Sequence, residues 1–324
     1  METRKQLNIK NFLIKYALFV LILVLWVVYG VKSPYFFTVK NFKSLLVNAT
    51  PLLIYAAGMT YILILGEIDL SIGSIGAVSG AVWILSMTQM NLPLPVAFLI
   101  SVLVGAICGT ANAFLIVKLK INAFMVTLGM QFLLRGICYF VVSGEQILTP
   151  APVHDFAKMR VLTISPVFYI GILTAAIMMV VYKYTSYGRK VQACGCNKNA
   201  AKMVGVNVGR VRFLSFVLCG ALAGLAGAFQ VVNIGMVNPN SLGDGSEFLA
   251  ITACVLGGTS LLGGVGSIIP GTLIGVIFYY SIENGLGLMG ANVYVYPIVR
   301  GIVIFLAMVT DSLKRSIGMK KSAI

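Results

Sequence analysis

Two carboxylates stand two residues apart in Gly66-Glu67-Ile68-Asp69-Leu70-Ser71-Ile72-Gly73, a segment flanked on both sides by long apolar runs. A charged side chain at mid-bilayer costs roughly 3 kcal/mol, so ionisable groups in such surroundings face a cavity, a partner or a pathway. Two readings stand for this segment. It is either a short turn with solvated carboxylates, in which Asp69 and Ser71 cap the following helix, or a break between helices whose polar groups enter a route through the bilayer. Arg135 lies inside another apolar run, and Asn112, Thr127 and Gln131 add neutral hydrogen-bonding groups on neighbouring runs. Such groups suit a polar uncharged ligand better than an ion. Arg300 and Glu283 fall in successive apolar runs, and Arg300 reads as half of an internal ion pair with Glu283 or another acid.

Other chemistries drop out. Residues two apart on a helix point to different faces, so Glu67 and Asp69 make a poor acid–base dyad. There is no G-x-x-x-x-G-K-[ST] loop and no Gly-Lys pair, hence no recognisable nucleotide-hydrolysing site. Cys194-x-Cys196 has a spacing that could supply two metal ligands, but the single histidine, His154, falls in a loop expected on the opposite side of the membrane. The remaining cysteines lie in apolar runs, where cysteine behaves as a small hydrophobe. The expectation is a chain with no catalytic residue, no metal and no cofactor of its own.

The elements that must position these residues follow from composition. Hydrophobic residues make up 59% of the 324 and charged residues 10%, and the mean hydropathy is +0.97, so lipid has to be part of the solvent. Runs near residues 14–31, 44–65, 70–88, 94–117, 121–142, 164–184, 213–233, 248–264, 266–284 and 294–312 approach the ~20 residues a helix needs to cross a bilayer. They lack the alternation of a barrel strand, so the expected fold class is an all-α polytopic membrane protein of about ten transmembrane helices. Between residues 251 and 275 the many glycines leave open a continuous helix or a broken, re-entrant one.

Arg4, Lys5, Lys10 and Lys15 precede the first run, which lacks a small-residue cleavage site and reads as a retained span with the N-terminus in the cytoplasm. Alternation then makes Lys118, Lys120, the Lys183 to Arg212 stretch and the C-terminal tail cytoplasmic as well. Lys32, Lys40 and Lys43 come out on the far side, against the positive-inside rule. The +15 net charge therefore reflects membrane topology and not a nucleic-acid face. Four pairs of glycines spaced one helical turn apart, Gly76 and Gly80, Gly105 and Gly109, Gly220 and Gly224, Gly271 and Gly275, read as close helix packing within the chain.

Specific residues resemble a family. Gly66-Glu-Ile-Asp-Leu-Ser-Ile-Gly73 is similar to G-G-I-D-L-S-V-G, with Glu67 where a second glycine is usual, and Phe124-Met-Val-Thr-Leu-Gly129 is similar to F-I-A-T-L-G, followed by Arg135-Gly136. The stretch Gly188-Arg189, Ala193-x-Gly195-x-Asn197-x-x-Ala200-Ala201 and Gly205-x-Asn207-Val208 resembles G-R-x-x-x-A-x-G-x-N-x-x-A-A-x-x-x-G-I-N-V, with Asn199 where an acid is usual. Gly220 to Gly227 and Leu256 to Gly264 also match. These are the marks of the permease subunits of bacterial ribose-type sugar ABC importers, and the resemblance runs over nearly the whole chain.

The resemblance implies one transmembrane permease domain over residues 1–324 in the bacterial inner membrane, with a cytoplasmic coupling loop at 185–212. It implies a cytoplasmic ATP-binding subunit, an external solute-binding protein and a second permease copy or paralogue as partners, with lipid around them and no nucleic acid. A short helix over Asn197 to Val204, punctuated by Gly195 and Gly205, would dock on the ATPase. Glu67, Asp69, Ser71, Asn112, Thr127 and Arg135 are expected near the substrate pathway, and Gly188, Arg189, Gly195, Asn197, Ala200, Ala201 and Gly205 at the ATPase contact. A permease for nucleosides or branched-chain amino acids on a related scaffold, and an ion-coupled secondary transporter, remain as alternatives.

Overall fold

The structure is a computed structural model and describes residues 22–292 and 294–322. It is almost entirely helical: α1 (Ile22–Lys32), α2 (Val39–Ile64), α3 (Ile72–Thr88), α4 (Leu94–Val117), α5 (Ala123–Val141), α6 (Ala151–Lys158), α7 (Pro166–Tyr184), α8 (Ser186–Cys196), α9 (Lys198–Met203), α10 (Val208–Ile234), α11 (Ser246–Leu256), α12 (Leu273–Leu288) and α13 (Val295–Ser322). Two short strands, β1 (Ile147–Leu148) and β2 (Met236–Val237), pair antiparallel. Among the described residues, α2, α4, α5, α7 and α10 are long and apolar enough to cross a membrane. Residues 14–21 of the first expected span and the basic residues before it lie outside the described part.

Burial sorts these helices into layers. The apolar windows of α2 and α10 are 89% and 72% buried, whereas those of α4, α5 and α7 are 22%, 28% and 22% buried. The first two, with α3, form the centre; the other three present Leu99, Ile107, Phe132, Phe140 and Leu173 outward, as helices facing acyl chains must. What lets α4 lie tight against α10 is a seam of glycines. A Cβ on Gly105 would stand 2.2 Å from the Gly220 carbonyl oxygen, and one on Gly220 would stand 2.4 Å from that of Gly105. The other expected pairs also meet partners inside the chain: Gly76 lies under Tyr55, Gly80 against Val231, and Gly275 against the Ala253 carbonyl. Close backbone approach maximises dispersion contact where lipid offers no hydrophobic drive between helices.

One expected span is corrected. The run 248–264 is helical only to Leu256, and α11, with 11 residues, is about 16 Å long, roughly half a bilayer core. Irregular backbone then returns to the end of α2, where the Gly264 amide donates to the Ile64 carbonyl at 2.8 Å. The chain passes through a kink at Ile268–Thr272, where Ile269 is extended, and continues as α12 to Leu288. The glycine-rich stretch is thus the broken alternative, its polar backbone satisfied by protein. Two helices, α6 and α8, and the β1–β2 pair were not anticipated.

The bundle has two distinct ends. One carries α8, α9, the end of α2, the starts of α3 and α10, and the 257–267 turn. The other carries β1, β2, α6, the 238–245 loop, the start of α2 and the end of α12, where the Asn41 and Asn284 side chains bond reciprocally at 2.9 and 2.8 Å.

Candidate functional site

Between α2 and α3 the chain runs through the octapeptide as a non-helical turn from Leu65 to Ser71. Its two carboxylates diverge. Glu67, with its side chain 5% exposed, directs Oε1 to Lys198 Nζ at 2.9 Å and to Arg212 Nε at 2.6 Å. Lys198 opens α9 and Arg212 lies in the first turns of α10, so one acid ties the α2–α3 turn to both sides of the α8–α9 end. Asp69 is fully buried and accepts at Oδ1 from the Ser71 amide at 2.9 Å and the Ser71 hydroxyl at 2.6 Å, an Asx-type lead into α3. Asn112 of α4 donates to the same Ser71 hydroxyl at 2.8 Å. Thr127 bonds the Ala123 carbonyl of its own helix at 2.9 Å and lies 3.4 Å from the Ile68 carbonyl.

Four of the expected pathway residues, Asp69, Ser71, Asn112 and Thr127, therefore come together around the turn. Glu67 leaves that cluster for the α8–α9 end. Arg135 is elsewhere again: its Nη1 donates to the carbonyls of Pro239 at 3.0 Å and Leu242 at 2.7 Å, pinning the 238–245 loop to α5 in the opposite half of the bundle. Gln131, one turn before it, donates to Glu247 Oε1 of α11 at 2.9 Å. The Arg300 and Glu283 pair forms as expected, with Nη2 3.3 Å from Oε1, and the Tyr279 hydroxyl donates to the same carboxylate.

The α8–α9 end is built from short polar signals. Thr185 caps α8 by accepting from the Gly188 amide at 3.3 Å, Asn197 caps α9 by accepting from the amides of Asn199 and Ala200 at 3.0 Å each, and Asn207 caps α10 by accepting from the Arg210 amide at 2.9 Å. Gly195 fits because a Cβ there would stand 1.8 Å from the Ile64 carbonyl oxygen. Gly205, with φ +82°, ends the α9 turn. Ala201 is buried, whereas Arg189 and Ala200 are exposed. Met203 and Val204, at the tip of α9, are 88% and 78% exposed. Burial pushes the Cys194 thiol up, with the Lys198 ammonium opposing, while Cys196 is exposed; His154 bonds Thr149 at the other end.

Sequence reasoning missed Lys198, Arg212 and Glu247 as partners. The first two were hidden in a basic run that topology alone explained, and Glu247 follows a loop with no helical pattern of its own. Long apolar helices around a buried polar turn define a multi-pass membrane protein.

Comparison with known proteins places it further. Residues 41–308 match the family described as branched-chain amino acid transport system / permease component. The chain is 35% identical to the ribose import permease protein RbsC of Escherichia coli (strain K12) over 312 residues, 94% of this chain and 96% of that protein. It is 32% identical to the L-arabinose ABC transporter permease protein AraH of Azospirillum brasilense over 295 residues, 91% and 86% of the two chains. It is 32% identical to the autoinducer 2 import system permease protein LsrC of Yersinia pseudotuberculosis over 308 residues, 93% and 87%. The chain belongs to this permease family, as a transport subunit of the ABC importer type.

Proposed function

We propose that this chain moves a small neutral sugar, a pentose or hexose, across the cytoplasmic membrane of a bacterium, driven by a separate ATP-binding subunit and supplied by an external solute-binding protein. Ribose and arabinose permeases among its relatives support the sugar class. The observation that carries the coupling is α9: a capped helix whose apolar tip, Met203 and Val204, stands exposed while its first residue, Lys198, is tied to the buried Glu67. A helix seated in an ATPase groove through that tip pulls on the α2–α3 turn when the ATPase pair closes. Gly188, Arg189, Gly195, Asn197, Ala200, Ala201 and Gly205 shape this contact. Asp69, Ser71, Asn112 and Thr127 form the moving polar floor, and Arg135 holds the loop on the far side. Alternating access then exchanges the side to which the central polar groups open.

In this reading the chain crosses the membrane ten times with both termini in the cytoplasm, α11 and the 257–267 turn together making one crossing, and it works as a pair with itself or a paralogue. The test is uptake by proteoliposomes holding the permease, its ATPase and its binding protein, with a panel of pentoses, hexoses, nucleosides and branched-chain amino acids. ATP-dependent accumulation of a pentose or hexose is expected. Accumulation confined to nucleosides or amino acids overturns the sugar assignment, and uptake that persists without the ATPase overturns the energy source.

A further inference from the structure

Near the end carrying β1 and β2, the helices border a half-open chamber of about 230 Å³ between α2, α10, α11, α12, α13 and the 238–245 loop. It adjoins a cleft of about 350 Å³ that shares Pro51, Gln230, Tyr280 and Glu283 with it. Each wall brings a polar group, Tyr55 from α2, Gln230 from α10, Asp244 from the loop, Ser246 from α11, Tyr280 and Glu283 from α12, and Arg300 from α13, with Leu52 and Leu249 as apolar patches between them. Tyr55 is 2% exposed, yet its hydroxyl makes no hydrogen bond within the protein. Gln230 Oε1 is likewise buried and unbonded. Buried polar atoms almost always have partners, since leaving one unmade costs about 1–3 kcal/mol, so two in one chamber mark a place shaped for a ligand.

The chemistry of the walls selects the ligand. Arg300 is already engaged by Glu283 at 3.3 Å and by the Tyr279 hydroxyl at 3.2 Å, and Asp244 adds a second acid, so the described residues of the chamber offer no free cation to hold an anion. Carboxylates accept, the amide and the phenols both donate and accept, and the two tyrosine rings offer flat apolar faces. Hydroxyl groups on a compact ring use all three. We propose that this chamber is a binding site for a neutral polyhydroxylated solute of monosaccharide size, the place where an imported sugar first rests inside the permease. The proposal rests on the sugar-importer reading above but assigns residues that reading does not need.

The experiment uses the full transporter in proteoliposomes, with a Ser241→Cys reporter on the chamber loop labelled by a membrane-impermeant maleimide against the wild-type background. D-ribose and L-arabinose are the probes. A sugar that the complex imports is expected to slow labelling of the reporter. Tyr55→Phe removes only the unbonded hydroxyl and so leaves thermal unfolding unchanged or raised. It is nonetheless expected to raise the concentration giving half protection about tenfold, as loss of one good hydrogen bond does. Gln230→Leu should weaken protection to a similar degree. Import of a probe without protection, or protection untouched by both variants, overturns the chamber and leaves the importer reading standing. Protection without import of either probe keeps the chamber and counts against sugar transport instead.

Discussion

Glu67 joins stretches of chain far apart in sequence, and its physics explains why a carboxylate tolerates that place. At 5% exposure an unpaired carboxylate would suffer the full cost of desolvation, but two cations within 2.9 Å offset it. Their weights differ. Lys198 is 46% exposed and its attraction is largely screened by water, while Arg212, at 22%, supplies most of the compensation. Glu67→Gln keeps the shape and leaves the two cations facing each other. We expect a loss of roughly 1–3 kcal/mol, below that for a wholly buried pair, seen as a lower thermal unfolding midpoint in detergent. We also expect less sugar imported per ATP hydrolysed. An unchanged transport ratio together with a lowered midpoint would confine the ion pair to a structural role.

At the scale of elements, the α4–α10 seam and the contact of α8 with the end of α2 depend on missing side chains. A methyl group on Gly105 meets the Gly220 carbonyl and the Gly224 backbone, which cannot rotate away as a flexible side chain could. Gly129 on α5 provides the contrast, because nothing lies within 4 Å of a Cβ there. Gly105→Ala should therefore cost about 1–3 kcal/mol by overpacking, while Gly129→Ala should stay within about 0.5 kcal/mol. Thermal unfolding of the two purified variants side by side checks the difference. Equal midpoints would mean that α4 and α10 separate readily and that the seam contributes little.

For the molecule as a whole, the proposed topology makes a claim about sides. The Lys198 to Val204 segment and the residues around Arg160 lie at opposite ends of the bundle, so one must face the cytoplasm and the other the exterior. Lys40, Lys43 and Arg160 line a groove of about 510 Å³ at the latter end, and the two lysines are among the three that run against the positive-inside rule. With the exposed Cys196 replaced by serine, a Met203→Cys variant should react with an impermeant thiol reagent only in inside-out vesicles, and Arg160→Cys only in right-side-out ones. Labelling of both from one side would break the alternation on which the ten crossings rest.

Class and much of the layout were legible in the residues themselves, because lipid imposes a simple demand: long apolar runs must become helices that satisfy their own backbone. The boundaries of α4, α5 and α7 and the end of α2 followed from that demand within two residues, while the short helix after Asn197 was expected from the resemblance and its flanking glycines. Periodicity could not tell where the 248–264 run stops, since glycine is tolerated in membrane helices and also ends them; the returning contact between Gly264 and Ile64 decided it. Nor could local sequence separate Glu67 from Asp69. Both are acids in one octapeptide, and only the folding of Lys198 and Arg212 against the α2–α3 turn sends the first to the α8–α9 end and leaves the second in the buried cluster with Ser71 and Asn112. The chamber lined by Tyr55, Gln230, Tyr280 and Glu283 was likewise invisible, because residues from separate helices share a cavity only once tertiary packing has set their distances.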